Sequence, residues 1–188
     1  MEYMGNTTWW DARFQNRALK IMAHESYLDK DVNYFAGKQK VLDLACGDGR
    51  NAVYFAQNGY QVTAVDFSKE ALKRLNYFKE QQQLSMKTQL VDLSDNDALK
   101  EIDGKYDIIL INHYRPLPQI YQGLMELLNA DGILWVNGFF EIPGDNAAIT
   151  ERDLLRDSDF ASLSEEQLVS KEIYGVGVRK FVRYIWRK

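Results

Sequence analysis

The feature that most constrains the fold is an alternation of strand-like and helix-like segments between residues 40 and 138. Residues 40–44 form a short apolar run, and residues 50–57 have helical character and stop at Asn58-Gly59, a typical helix C-terminal signal. Strands alternating with helices indicate a parallel sheet in an α/β architecture. Further strands are predicted at 61–65, 87–91, 106–112 and 133–138, and further helices at 69–82, 97–102 and from Pro116 and Pro118 to about 128.

The last forty-odd residues break this alternation. Residues 168–174 and 178–186 have strand character and are joined through Gly175-Val176-Gly177, a link so short that the pair must be antiparallel. Residues 150–156 are predicted to form a helix. We therefore predict one domain, 1–188, made of an N-terminal helical region at 1–37, the alternating segments at 38–138, and a C-terminal helix and antiparallel strand pair at 139–188.

Composition excludes several classes of protein. Lys plus Arg number 23 and Asp plus Glu 27, so a net charge of −4 gives no general attraction to nucleic acid or to an anionic membrane. Cys46, as a single cysteine, excludes an intramolecular disulfide framework and a multi-cysteine metal site, and we expect no metal. The longest apolar run, 108–111, is far shorter than the roughly 20 residues that span a bilayer. The polar N-terminus indicates no signal peptide, so we expect a cytoplasmic protein.

The segment that carries chemistry is the turn after the first strand. Gly47 and Gly49 allow a tight turn and a close approach of a ligand to the backbone. Asp66 ends the next predicted strand, where an acid can bind a ribose diol. The dinucleotide fingerprint tolerates Ala52 at its third glycine, so a nicotinamide-type oxidoreductase is an alternative. Asp43 before the turn and Asp48 inside it favour a cationic ligand over a pyrophosphate, although we expect Asp48 to be a solvated turn residue.

The run Asp43-Leu44-Ala45-Cys46-Gly47-Asp48-Gly49 resembles the first motif of the class I S-adenosylmethionine-dependent methyltransferases, with Ala45 in place of the first glycine. Within that class, residues 45–66 are most similar to the tellurite-resistance and thiopurine-type methyltransferase group, through Cys-Gly-x-Gly-Arg-Asn and Asn-Gly-Tyr-x-Val. The resemblance covers about residues 9–138. It implies a Rossmann-like, mostly parallel seven-stranded sheet in the order 3-2-1-4-5-7-6, with strand 7 antiparallel and helices on both faces. The implied cofactor is S-adenosyl-L-methionine, and the product is S-adenosyl-L-homocysteine.

The resemblance also implies a cofactor site at the carboxyl ends of the strands, which makes residues 38–138 a cofactor-binding core and residues 1–37 an N-terminal helical lid region. Asp43 would face the methionine portion, Asp66 would accept from both ribose hydroxyls, and Asp92 would accept from the adenine amine. The other residues assigned to the cofactor are Ala45, Gly47, Gly49, Asn51, Phe67, Leu93 and Asn112, with Phe67 and Leu93 at the adenine and Asn112 near the sulfonium.

Two segments are assigned to the substrate. Residues 9–14 resemble a Trp-Asp-x-Arg-aromatic segment that helps cover the cofactor or substrate in this group. Trp10 and Arg13 share a helix face, so we assign both to the substrate, the alternative being a helix that packs its aromatic side chains on the sheet edge. After the fourth strand, His113 is a candidate general base, Tyr114 a candidate orienting group and Arg115 a candidate anion-binding group. The alternatives are a merely hydrogen-bonded histidine and an enzyme that aligns its reactants without a base.

The predicted function is methyl transfer from S-adenosylmethionine to a small-molecule acceptor. The segment at 112–116 departs from the Asn-Pro-Pro-Tyr motif of amino-group methylases, and the basic C-terminal residues fall on both faces of a strand. Nucleic acid is therefore not the expected partner, and neither is a membrane. An RNA methyltransferase and a non-catalytic cofactor-binding module are alternatives, and the sequence indicates no oligomeric state.

Overall fold

The structure is a computed structural model, and it describes residues 5–95 and 97–188. Two compact units make up the chain, the first ending at Leu93 and the second beginning at Ser94. The helices of the first unit are α1 (Thr7–Gln15), α2 (Tyr27–Lys30), α3 (Val32–Phe35), α4 (Arg50–Gln57) and α5 (Lys69–Gln81), and its strands are β1 (Lys40–Leu44), β2 (Gln61–Asp66) and β3 (Met86–Leu90). The second unit contains β4 (Tyr106–Asn112), α6 (Ile120–Leu127), β5 (Leu128–Phe139), β6 (Leu168–Val176) and β7 (Arg179–Arg187), with short 3-10 turns.

The strand order is β3-β2-β1-β4-β5-β7-β6. Within the first unit β1 pairs in parallel with β2, and β2 with β3. Within the second unit β4 pairs in parallel with β5, whereas β7 runs antiparallel to both β5 and β6. The predicted fold class, a mostly parallel seven-stranded sheet with strand 7 antiparallel, is therefore confirmed.

Local signals explain the helices of the first unit. Ser68 caps α5 by accepting a hydrogen bond from the backbone N–H of Ala71, as its position before the helix predicts. The apolar side chains of α5 are buried on one face, and Leu75 is completely buried. Helix α4 begins directly after Gly49, whose φ of 86° places it in the left-handed region.

Leu75 packs against the backbone of Gly49. A Cβ atom at Gly49 would lie 2.2 Å from Leu75 Cδ1 and 3.0 Å from Cγ. Since Leu75 is buried, it has no open space into which it can retreat. Gly49 is therefore required twice, for its backbone conformation and for the close contact between the turn and α5.

In the second unit the apolar residues 108–111 of β4 are buried, as expected for a strand covered on both faces. The predicted helix at 150–156 is wrong: only Glu151–Asp153 forms a 3-10 turn. Thr150 and Asp153 close that turn with a capping box, and Leu154 then runs beside Phe139 in a β-bridge. Pairing of this segment with the end of β5 replaces the helix.

We expect Gly49→Ala to lower the free energy of unfolding more than Gly59→Ala does. Gly59 has almost the same φ, 85°, but nothing lies within 4 Å of the position its Cβ would take. The left-handed conformation alone costs about 1–2 kcal/mol in either variant, whereas overpacking against Leu75 adds roughly 1–3 kcal/mol at Gly49. Urea unfolding of both variants measures the difference, and equal losses would show that Leu75 yields.

Candidate functional site

The turn between β1 and α4 brings backbone close to several other elements of the first unit. Ala45, Gly47 and Gly49 all have positive φ, at 52°, 57° and 86°. A Cβ at Gly47 would lie 3.2 Å from the Phe14 ring, so α1 lies directly against the turn. Ala45 adopts the left-handed conformation despite its side chain, at a cost of about 1–2 kcal/mol. Strain of this kind persists where the surrounding structure holds it in place.

Asp43, at the end of β1, carries the most informative polar atom of the first unit. The residue is only 2% exposed, and its Oδ2 has no hydrogen-bond partner among the described residues. Burial raises the pKa of this carboxyl to about 7, against the opposing influence of the Arg50 guanidinium. A buried acceptor without a partner is costly, and a cationic or hydrogen-bond-donating ligand would satisfy it.

Asp66, at the end of β2, ties the turn to the next helix. Its Oδ2 accepts from the backbone N–H of Gly47 at 2.8 Å, and its Oδ1 accepts from the backbone N–H of Ser68 at 2.9 Å. Burial raises the pKa of Asp66, and these hydrogen bonds oppose the rise. A carboxylate has about four acceptor positions, so Asp66 retains acceptor capacity for a diol.

The residues assigned to adenine follow the ends of β2 and β3. Phe67 is half-buried and Leu93 is buried, whereas Asp92 is exposed. The backbone N–H of Val91 donates to the carbonyl of Asp66 at 3.1 Å, which holds the end of β3 beside the end of β2. The structure thus brings these three residues into the neighbourhood of Asp66.

The prediction that Asp48 is a solvated turn residue is wrong. It is 3% exposed and forms ion pairs with Arg17, whose Nη1 lies 3.1 Å from Oδ1, and Arg74, whose Nε lies 3.2 Å from Oδ2. Arg74 also donates to the carbonyls of Arg17 and Ala18. Two guanidinium groups neutralise Asp48, so this carboxylate would not repel a pyrophosphate bound at the turn. Of the two acids that favoured a cationic ligand, Asp43 alone still does.

Asn51 holds another part of the chain. Its Oδ1 accepts from the backbone N–H of Glu25 at 2.9 Å, while Arg50 Nη2 lies 3.1 Å from Glu25 Oε2. Neither Arg50 nor Asn51 carries a sequence signal for this contact, because Glu25 is 25 residues or more away. The first turn of α4 therefore fixes the segment that follows α1.

Helix α1 carries Trp10 and Arg13 and covers the turn. The Arg13 guanidinium lies 5.9 Å from the Trp10 ring centre and 5.3 Å from that of Trp9, so both arginine–aromatic contacts are made within the helix. Trp10 also stacks on Phe14, with ring centres 5.7 Å apart. Asp11 accepts from the Ser68 hydroxyl at 2.5 Å, which attaches α1 to the start of α5.

In the second unit, polar groups gather at the carboxyl ends of β4 and β5. Asn137 Nδ2 donates to Asn112 Oδ1 at 2.9 Å, and the Tyr174 hydroxyl donates to Asn137 Oδ1 at 3.0 Å. His113 is exposed and has a φ of 56°, and its backbone N–H donates to the Asn137 carbonyl at 2.8 Å. The centre of its ring lies 5.2 Å from the ring centre of Phe139 and 5.1 Å from the ring centre of Phe181. Tyr114 is half-buried beside it.

The guanidinium of Arg115 is bound by other residues of the second unit. Its Nε and Nη2 bind the two carboxylate oxygens of Asp159 at 2.8 and 2.5 Å, and its Nη1 donates to the Arg152 carbonyl at 3.1 Å. Asp159 is 1% exposed. The guanidinium that sequence reasoning assigned to an anionic substrate thus binds a buried carboxylate of the chain itself.

Among residues 5–95 and 97–188, no group of three or more His, Cys, Asp and Glu side chains could hold a metal ion. No helix in that part of the chain has both the length and the apolar character needed to cross a membrane. Cys46 is buried, and burial raises the pKa of its thiol, so it acts as a small packing residue.

The strand order, the glycine turn and the acids that end β1 and β2 together define a Rossmann-like fold of the class I methyltransferase type. A crystal structure of TehB from Haemophilus influenzae aligns over 97% of this chain and 66% of that chain, with a TM-score of 0.69 and 21% identity. This similarity supports the fold.

The family model of tellurite resistance protein TehB matches residues 14–114, and the chain belongs to the TehB family. A probable S-adenosyl-L-methionine-dependent methyltransferase TehB from H. influenzae strain 10810 is 35% identical over 100 residues, which cover 50% of this chain and 33% of that protein. A ubiquinone biosynthesis O-methyltransferase from Actinobacillus pleuropneumoniae is 28% identical over 137 residues, covering 68% and 58%. The matched segment therefore covers about a third of the length of that TehB protein.

We expect the ligand-free protein to lose stability as the pH rises from about 4 to about 7. The folded-state pKa of Asp43, about 7, lies above its unfolded value of 3.8, so the folded state binds the additional proton throughout that interval. The loss approaches about 4 kcal/mol, and Asp66, whose pKa is also raised, adds to it. Urea unfolding at several pH values measures this dependence.

Asp43→Asn should flatten the profile, because its amide carries no titrating proton. Glu80→Gln, which removes a carboxylate from the exposed side of α5, should leave the profile unchanged. An Asp43→Asn profile as steep as that of the wild type would contradict the assignment.

Proposed function

We propose that this chain is an S-adenosylmethionine-dependent methyltransferase that acts on a small-molecule acceptor. The observation that carries the proposal is the buried Oδ2 of Asp43 beside the glycine turn, which has no hydrogen-bond partner in the described part of the chain, in a member of the TehB family. S-adenosylmethionine bears an ammonium and a sulfonium group, and a buried carboxylate is stabilised by such charges. When bound, the cofactor supplies an electrophilic methyl group.

The proposed cofactor residues divide by the part of the cofactor they would meet. Asp43, with the backbone of Ala45, Gly47 and Gly49, would hold the methionine portion, and Asp66 would accept from the ribose hydroxyls. Phe67, Asp92 and Leu93 would hold the adenine. Asn51 acts indirectly in this proposal, because its side chain fixes Glu25.

Helix α1 would exclude water from the bound cofactor, a role supported by the contact between Phe14 and Gly47. Trp10 and Arg13 are proposed to contact the substrate from this helix. Their mutual contact supports a joint role, since the guanidinium is already held over the indole.

On the acceptor side we propose His113 and Tyr114, with the cofactor residue Asn112 near both the sulfonium and the substrate. His113 is exposed at the end of β4, with its backbone fixed by Asn137, and a neutral imidazole can remove a proton from an acceptor near pH 7. We leave Arg115 out of the proposed substrate site, because its guanidinium is bound to Asp159. The similarity to a ubiquinone biosynthesis O-methyltransferase supports a small-molecule acceptor. The cytoplasmic location stays a prediction.

Calorimetry should show binding of S-adenosylhomocysteine and no binding of NAD. In Asp66→Asn the affinity should fall roughly 10- to 150-fold, because charge-assisted hydrogen bonds to the ribose are lost. Glu80→Gln provides the charge-matched control, and circular dichroism checks that both variants fold. Full affinity in a folded Asp66→Asn variant would exclude Asp66 from the cofactor site, and binding of NAD alone would favour the oxidoreductase.

Incubation with S-adenosylmethionine labelled in its methyl group should transfer label to the small-molecule fraction of a bacterial extract and not to the RNA fraction. His113→Asn should slow this transfer by about 100-fold or more without weakening S-adenosylhomocysteine binding, if the imidazole acts as a base. Asn is chosen because it tolerates the left-handed backbone at this position. Label in RNA would favour the RNA methyltransferase, and an absence of label in both fractions would favour the non-catalytic module.

A further inference from the structure

A buried amide at the carboxyl end of β5 links two polar residues of the second unit. Asn137 is completely buried. Its Nδ2 donates to Asn112 Oδ1 at 2.9 Å, and its Oδ1 accepts from the hydroxyl of Tyr174 at 3.0 Å. The chain of hydrogen bonds therefore runs from Tyr174 on β6, through Asn137 on β5, to the half-buried Asn112 at the end of β4.

The direction of these hydrogen bonds determines which edge of the Asn112 carboxamide is left to face a ligand. A phenol is a stronger donor than acceptor, because the ring withdraws electron density from its oxygen, so the Tyr174 hydroxyl donates and Asn137 must receive with Oδ1. Asn137 then offers its nitrogen to Asn112, which must receive with its oxygen. In a planar carboxamide the NH₂ group of Asn112 lies on the edge opposite to this bond.

The surrounding structure holds the network rigidly. Tyr174 stacks on Phe181 with ring centres 5.6 Å apart and an interplanar angle of 29°. The carbonyl of Asn137 accepts from the backbone N–H of His113 at 2.8 Å, which fixes the backbone at the end of β4. Asn137 at the centre of the network is completely buried, whereas Asn112 and Tyr174 are half-buried, and a reversal would have to reorient all three members together.

We propose that Asn137 and Tyr174 are positioning residues that hold the Asn112 carboxamide with its NH₂ group toward the bound ligand. The ligand atom that meets Asn112 is then a hydrogen-bond acceptor. This inference rests on the proposed function, which places Asn112 beside the methyl acceptor, so the ligand atom that it meets is the nucleophile of the acceptor and not the cationic sulfonium. If the hydrogen bonds ran in the reverse direction, Asn112 would present its oxygen and would favour a hydrogen-bond-donating or cationic group instead.

Hydrogen exchange of the side-chain amides tests the orientation without any ligand. In a protein labelled with ¹⁵N at asparagine, the Asn137 NH₂ should exchange slowly, because it is buried and donates to Asn112. The Asn112 NH₂ should exchange rapidly. Slow exchange at Asn112 overturns the proposal, because its NH₂ group would be protected only if the hydrogen bonds ran in the reverse direction and it donated to Asn137.

A second test measures how the network selects ligands. Sinefungin carries an amine near the position of the sulfonium methyl, so a donor edge at Asn112 disfavours it relative to S-adenosylhomocysteine. Tyr174→Phe keeps the stacking on Phe181 but frees Asn112 to turn its oxygen outward. The ratio of sinefungin to S-adenosylhomocysteine affinity should then rise roughly 2- to 10-fold.

Tyr184→Phe is the matched control, because it removes a hydroxyl from the neighbouring strand β7 that bonds to Asp157 instead. An unchanged affinity ratio in Tyr174→Phe, or an equal rise in Tyr184→Phe, overturns the positioning role. Failure of wild-type protein to bind S-adenosylhomocysteine would instead refute the proposed function, and the exchange measurement would still decide the orientation of Asn112.

Discussion

The left-handed turn between β1 and α4 is the constraint on which the first unit depends. Phe14 approaches Gly47 from α1, Leu75 approaches Gly49 from α5, and Asp66 binds the N–H of Gly47. Each contact requires a backbone without a Cβ or with a positive φ. The same turn therefore provides the close packing of three elements and a backbone surface that a ligand can approach.

Three buried acids surround this turn, and the structure treats their charges differently. Asp48 is compensated by Arg17 and Arg74, and Asp66 is stabilised by backbone N–H groups. Asp43 retains an oxygen without a partner among residues 5–95 and 97–188, and burial raises the pKa of its carboxyl to about 7. Neighbouring guanidinium and backbone N–H groups stabilise the negative charges of Asp48 and Asp66. The carboxyl of Asp43 is therefore the one of the three whose charge is least compensated. A cation bound there would lower its pKa and stabilise the ionised form.

Local patterns in the sequence were enough to predict the elements whose formation depends on local signals. The predicted segments 40–44, 50–57 and 106–112 coincide with β1, α4 and β4, because apolar runs, the glycine turn and the Asn-Gly stop act over a few residues. The contacts that sequence reasoning missed join distant residues: Asp48 with Arg74, and Arg115 with Asp159. A charged side chain shows the type of partner it needs but not which residue of that type the fold brings to it. The wrong helix at 150–156 has the same origin, since the bridge to Phe139 replaces local structure.

Two polar side chains near the carboxyl ends of β4 and β5 are bound by other residues of the second unit, and under the proposed function this limits where acceptor specificity can arise. Arg115 is bound to Asp159, and Asn137 is bound on both sides of its amide. His113 remains exposed at the end of β4, against a wall formed by Phe139 and Phe181. If methyl transfer takes place here, discrimination between acceptors must come from few outward-facing groups whose orientation is set by buried neighbours. Preorganisation of this kind favours alignment of the reactants over strong binding of the acceptor, which suits a reaction that needs a nucleophile, a methyl group and a sulfur in line.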